Sequence, residues 1–205
     1  MNTTKITLLL TLLLGLHFTH YATNYYVSPT GSSSNNGLSL ATPKNDIEEA
    51  GLLTQGGDTV FILNGTYTKS NPNDNVVNIR NSGTANNWIV FINFPTNQPM
   101  IRAKNWSGIG IQGADYIEIN GLEVIGYADS VTLAYAQAEQ NNYNNPITSG
   151  NGIGCAPEYN NPQNKSHHIT IRNCKVSKCP GGGIYLINSV SEFPVCSLPG
   201  HGLTQ

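Results

Sequence analysis

The 205-residue chain is 39% hydrophobic but only 11% charged, and ten lysines and arginines against twelve acids give a formal net charge of -2. A chain of that size buries one core, its polarity excludes a multispan membrane protein, and its charge withholds the basic footprint that a general nucleic-acid binder needs. Asn, Ser, Thr and 21 Gly stand where charged residues usually cover a globular surface, a composition of turns and short strands that points to an all-β fold.

At the N-terminus, Lys5 precedes an apolar run from Ile6 to Leu16, and a short polar stretch then ends at Tyr21-Ala22. That order is a secretory signal peptide over residues 1–22, and the run is too short to span a bilayer. Export is therefore expected, with no membrane span in the mature chain. N-terminal sequencing of secreted protein should begin near Thr23, and a cytoplasmic protein still beginning at Met1 would overturn this reading.

Residues 23–68 read as an N-terminal cap made of a helix and the first strands. Thr42-Pro43 opens a short helical pattern that carries Ile47, Ala50 and Leu53 on one side and stops before Gly56-Gly57. Laid over the first rung of a sheet, such a helix covers edge groups that would otherwise invite pairing with other chains. The stretch from Gly57 to Tyr67 follows as a strand and a turn.

Residues 69–189 repeat. Ser107-Gly108-Ile109-Gly110-Ile111 is echoed by Asn151-Gly152-Ile153-Gly154-Cys155 and by Gly182-Gly183-Ile184-Tyr185-Leu186. Ile117, Ile119, Leu122 and Val124 match Ile169, Ile171, Cys174 and Val176, with polar residues between them and a phase step at Gly121 and Asn173 that marks a bend between two strands. An earlier turn shows in Val77-Asn78-Ile79 and Ile89-Val90-Phe91-Ile92. Recurrence about every 30 residues, with Gly, Asn and Pro in the connections instead of amphipathic helices, predicts a parallel β-helix. The Asn-rich insertion at 127–149 is expected to project as a loop. Residues 190–205 carry two prolines where another alternating strand is due, so an irregular tail and a truncated coil are expected.

Cys155, Cys174, Cys179 and Cys196 all lie in the last third, which excludes a disulfide framework for the whole domain. Without a Cys-x-x-Cys pair, and with His167-His168 lacking a second ligand cluster, no metal site is expected. Cys155 and Cys174 read as small apolar core residues.

Asn24-Tyr25-Tyr26-Val27-Ser28-Pro29-Thr30-Gly31, then Asn35-Asn36-Gly37-Leu38-Ser39, Ala41-Thr42-Pro43 and Gly57-Asp58-Thr59-Val60 resemble the opening of secreted bacterial right-handed parallel β-helix proteins similar to pectate-lyase-like polysaccharide lyases. The resemblance covers residues 24–189 and implies an all-β, right-handed parallel β-helix with a short N-terminal capping helix. It also implies an extracellular, uronate-containing polysaccharide as partner, β-elimination as chemistry and calcium as cofactor. Lys44 departs from the pattern, standing where the resembled proteins carry an aromatic or apolar helix residue, and no Asp-rich rung supplies a calcium site.

Elimination needs the uronate carboxylate neutralised and a base of lowered pKa. The outward acids of adjacent rungs are Glu118 and Glu123, and the alignment stacks Glu118 on Thr170, Asn120 on Arg172 and Glu123 on Lys175. These charges read first as a solvated ladder. As a sugar-binding face, the candidates are Arg172, Lys175, Lys178 and Glu123. Gly200-His201-Gly202 resembles polygalacturonase-type hydrolases but lacks the paired acids that hydrolysis requires. Three functions thus stand as expectations: a polysaccharide-acting protein related to lyases whose catalytic rungs are missing here, a noncatalytic glycan-binding or cell-surface protein, and, last, a hydrolase.

Overall fold

The computed structural model describes residues 21–187. Nearly all of the leader, the tail reading for 190–205, Cys196 and His201 fall outside them. The strands are β1 (Asn24–Val27), β2 (Thr59–Ile62), β3 (Thr66–Tyr67), β4 (Val77–Ile79), β5 (Ile89–Asn93), β6 (Met100–Arg102), β7 (Ser107–Gln112), β8 (Ile117–Asn120), β9 (Glu123–Ile125), β10 (Asn151–Ala156), β11 (Ile169–Arg172), β12 (Lys175–Ser177) and β13 (Ile184–Leu186). Short helices are α1 (Ile47–Gly51), α2 (Leu133–Ala138) and α3 (Pro146–Ser149), with a 3-10 turn at Ala128–Ser130.

Sheet one orders as β1-β2-β5-β8-β11, sheet two as β3-β6-β9-β12 and sheet three as β4-β7-β10-β13, and every named pair is parallel. From β2 onward the chain visits the three sheets in turn, which is a parallel β-helix. The rungs therefore start earlier than residue 69, since β2 and β3 already pair with β5 and β6.

The repeat alignment holds in register: Ile117 faces Ile169, Glu118 faces Thr170, Asn120 faces Arg172 and Glu123 faces Lys175. Asn151 likewise faces Ser107, and Ile153 faces both Ile109 and Ile184. The phase step is a left-handed backbone position, with φ of 69° at Gly121 and 53° at Asn173. Turning the chain there lets Ile119 and Leu122, three apart, both point inward. Ile117, Ile119, Leu122 and Val124 are buried, whereas Ile169, Cys174 and Val176 are partly buried against the same core, because no described rung lies beyond β11 and β12. Cys174 is thus a rim residue, while Cys155 is buried as expected.

The capping helix exists but starts later than Thr42-Pro43 suggested. Asp46 is its N-cap, accepting from the Glu48 and Glu49 amides at 2.7 and 3.2 Å, and Glu49 stands where a capping box places its acid. The Thr42 hydroxyl instead donates to Asn36 Oδ1 at 3.0 Å. Lys44 is not helical: it bridges Val27 in parallel, and its ammonium reaches the Ser33 carbonyl at 2.6 Å. Ile47 and Ala50 enter the core, while Leu53 lies past the helix end and is exposed.

Candidate functional site

Sheet three carries a groove of about 810 Å³. Its floor follows the outward column Asn78, Gly110, Gly154 and Tyr185. Two glycines keep this column low. A Cβ on Gly154 would overlap the Tyr185 ring, and one on Gly110 would overlap the Asn75 amide, so both side chains rest on bare backbone. The Tyr185 hydroxyl lies 3.3 Å from Ser107 Oγ, and Asn75 Nδ2 donates to Asn78 Oδ1 at 2.7 Å. Both contacts tie residues in different rungs or strand positions and hold the floor groups in place.

The corner leading into sheet three supplies one wall, with Asp74 and Trp106, and the corner leaving it supplies the other, with Arg80, Glu158 and Tyr159. Asp74 accepts from Asn71 Nδ2 and Glu158 from Asn164 Nδ2, both at 3.0 Å. Arg80 lies 3.7 Å from Glu48 of α1, which also pairs with Lys69. The groove thus presents aromatic rings beside amides and carboxylates, the mixture of apolar faces and polar edges that suits a pyranose ring.

The residues singled out from sequence lie elsewhere and do not converge. Glu123 and Lys175 pair at 2.7 Å in a shallower depression of about 470 Å³ across the corner between sheets one and two. Arg172 Nε donates to Glu118 Oε1 at 2.8 Å. Lys178 pairs with Asp129 at 2.7 Å at the root of the insertion, and its ammonium holds the Asp129 carboxyl below the usual carboxylate range. Each of the three cations therefore has its own carboxylate, the ladder arrangement, and Glu123 and Lys175 share a concavity.

His167 and His168 join an aromatic column instead of a metal site. The His168 ring stacks on Tyr116 at 4.5 Å, Tyr116 meets Trp88 edge-on, and His167 Nε2 lies 3.2 Å from Asp115 Oδ2. Among the described residues no three of His, Cys, Asp or Glu gather closely enough to hold a metal ion. With Glu48, Glu118, Glu123 and Asp129 each beside a cation, the described residues do not fit a calcium site.

Sequence reasoning missed the sheet-three groove. Its signal was present in Gly110 and Gly154, which leave the outward face bare, whereas Gly108 and Gly152 face the core beside Val124 and Val176. The sequence could not say which large groups would lie across that face.

Three parallel sheets visited in turn, with an open, ring-lined groove along sheet three, define a parallel β-helix. The chain belongs to the Pel9A-like right-handed β-helix family, matching it over residues 25–178. Among solved structures it is similar to a GH136 lacto-N-biosidase from Eubacterium ramulus, at 17% identity and a TM-score of 0.55, covering 89% of this chain and 33% of that one. It is also similar to a rhamnogalacturonan lyase, at 18% identity and a TM-score of 0.47, covering 80% and 45%, and to the pectate lyase Pel9A, at 14% and 0.46, covering 82% and 51%. The chain thus spans about half or less of these proteins. No curated protein matches it. Among the described residues no helix is long and apolar enough to cross a membrane.

Proposed function

We propose that this chain is the polysaccharide-binding stretch of an exported β-helix protein, with an extended glycan lying along the groove of sheet three. The observation that carries the reading is the pairing of Trp106, Tyr159 and Tyr185 with amide and carboxylate side chains in one long concavity. Family membership supports a polysaccharide as the partner, and the leader pattern at residues 1–22 supports an extracellular setting. Replacing Trp106 by Ala should weaken binding of a glycan panel at least tenfold in affinity electrophoresis or calorimetry, with little change in the unfolding midpoint. Retention of full affinity would remove the groove from the proposal.

A second reading takes the chain as part of a lyase of acidic polysaccharides, with Arg172, Lys175, Lys178 and Glu123 meeting uronate groups at separate points of the outer ladder and the eliminating residues outside 21–187. The depression shared by Glu123 and Lys175 favours it. Under this reading, binding of polygalacturonate or alginate weakens as salt rises, and the double change Lys175→Gln with Lys178→Gln removes most of that dependence. Unchanged binding would return these cations to a surface ladder.

A further inference from the structure

The charges around the sheet-three groove deepen the binding reading on which this inference rests. Its walls hold two carboxylates, Asp74 and Glu158, one at each corner, against the single guanidinium of Arg80. Arg80 is already turned toward Glu48, at 3.7 Å. Lysine is absent from the lining. Among the described residues, the carboxylates are bound by the neutral amides of Asn71 and Asn164 and have no cationic partner. A polyuronate brings one negative charge per sugar ring, and a chain lying here would set successive carboxylates between these two acids with one partly matched cation to receive them. Like charges brought together in this way oppose binding, and build specificity by exclusion.

The rest of the surface suits an uncharged sugar. Tyr185 packs its ring against the backbone of Gly154 with its hydroxyl beside Ser107, so the ring is held at both places within the groove lining. An aromatic ring held that way accepts the C–H face of a pyranose with little ordering cost, because the side chain is already immobile. Asn160 and Gln112 share the groove lining with it and add donors and acceptors that match hydroxyl groups and carry no charge, beside Asn75 and Asn78, whose amides are bonded to Asn78 and Glu48. We infer that the sheet-three groove selects a neutral glycan, built of uncharged hexoses or N-acetylated hexosamines, and that Asp74 and Glu158 act as the barrier to uronates while Tyr185 is the stacking platform.

The test measures binding of the full chain to neutral hexose and N-acetylhexosamine oligosaccharides and to oligogalacturonate of equal length, at low and moderate salt. The wild-type protein should bind at least one neutral series, at least tenfold more tightly than oligogalacturonate at low salt. Tyr185→Ala should lose that binding tenfold or more, and Gly154→Val, which drives the ring off its seat, should do the same. The double change Asp74→Asn with Glu158→Gln should narrow the preference, raising oligogalacturonate affinity several-fold relative to the neutral series, and both residues are exposed, so the fold does not rest on them. Oligogalacturonate preferred by the wild type and lost in Tyr185→Ala would overturn the neutral selectivity while keeping the groove as a glycan site. Failure of every glycan to bind would overturn the groove itself, and with it the inference.

Discussion

Phe91→Ala is expected to lower stability by about 3–5 kcal/mol, read as a fall in the urea midpoint, because the deleted ring leaves a cavity that neighbouring rungs cannot fill. Phe91 is 1% exposed in the middle of β5, with Val60 in the rung before it and Ile119 in the rung after. It also carries the cap: the backbone of Gly51 in α1 rests on the ring, where an added Cβ would sit 3.2 Å from Phe91 Cζ. Removing Phe91 therefore thins the core and unseats the helix that covers the first rung. Val90→Ala, next to it on the outward face, should cost under about 1 kcal/mol. Equal losses from the two changes would show that the inward phase assigned to β5 is wrong.

A second large loss is expected at Asp58, which is fully buried. Its Oδ1 accepts from the Thr23 amide at 2.7 Å and its Oδ2 from the Gln55 amide at 2.8 Å. The carboxylate thus joins the start of β1 to the turn that enters β2, next to the bond from the Thr59 amide to the Thr23 carbonyl at 2.9 Å. Asp58→Ala removes the charged acceptor of both amides and should cost about 3 kcal/mol, since hydrogen bonds to a charged group contribute about 1.5–3 kcal/mol each. Asp58→Asn keeps one acceptor oxygen and should fall between the wild type and the alanine variant. An alanine variant within about 0.5 kcal/mol of wild type would show that the two amides find other partners.

Asp58 also shows what a sequence can and cannot disclose. Gly57-Asp58-Thr59-Val60 was legible as part of a family-like opening, yet the reason for an acid there depends on Thr23, 35 residues away. The columns built from Ile117, Ile119, Leu122 and Val124 were legible for the opposite reason: each alternates within one strand, and the same string recurs one coil later in Ile169, Ile171, Cys174 and Val176. Local periodicity carries that information. The helix start was misplaced because Thr42-Pro43 and Asp46 both offer a cap, and the parallel bridge from Lys44 to Val27 decides between them. The groove was hidden because Tyr185 reaches Ser107 across 78 residues, and glycine spacing alone does not reveal which ring will lie over it.

The insertion at 127–149 leaves and rejoins the coil without disturbing it. Just before it, the Gly126 amide donates to the Ser177 carbonyl at 2.9 Å, and just after it the Asn151 amide donates to the Trp106 carbonyl at 2.8 Å. The corresponding corner one rung earlier, between Arg102 and Ser107, takes only a few residues, whereas here the connection runs from Ile125 to Asn151. Closing a connection roughly sixfold longer costs only about 1.6 kcal/mol more, because loop entropy grows with the logarithm of length. Such a corner is a place where a gene can gain or shed whole codons, even a small helix, while every strand keeps its partner. Variation among relatives of this chain should therefore concentrate in the size of that segment, and the pitch of the coil should stay constant through it.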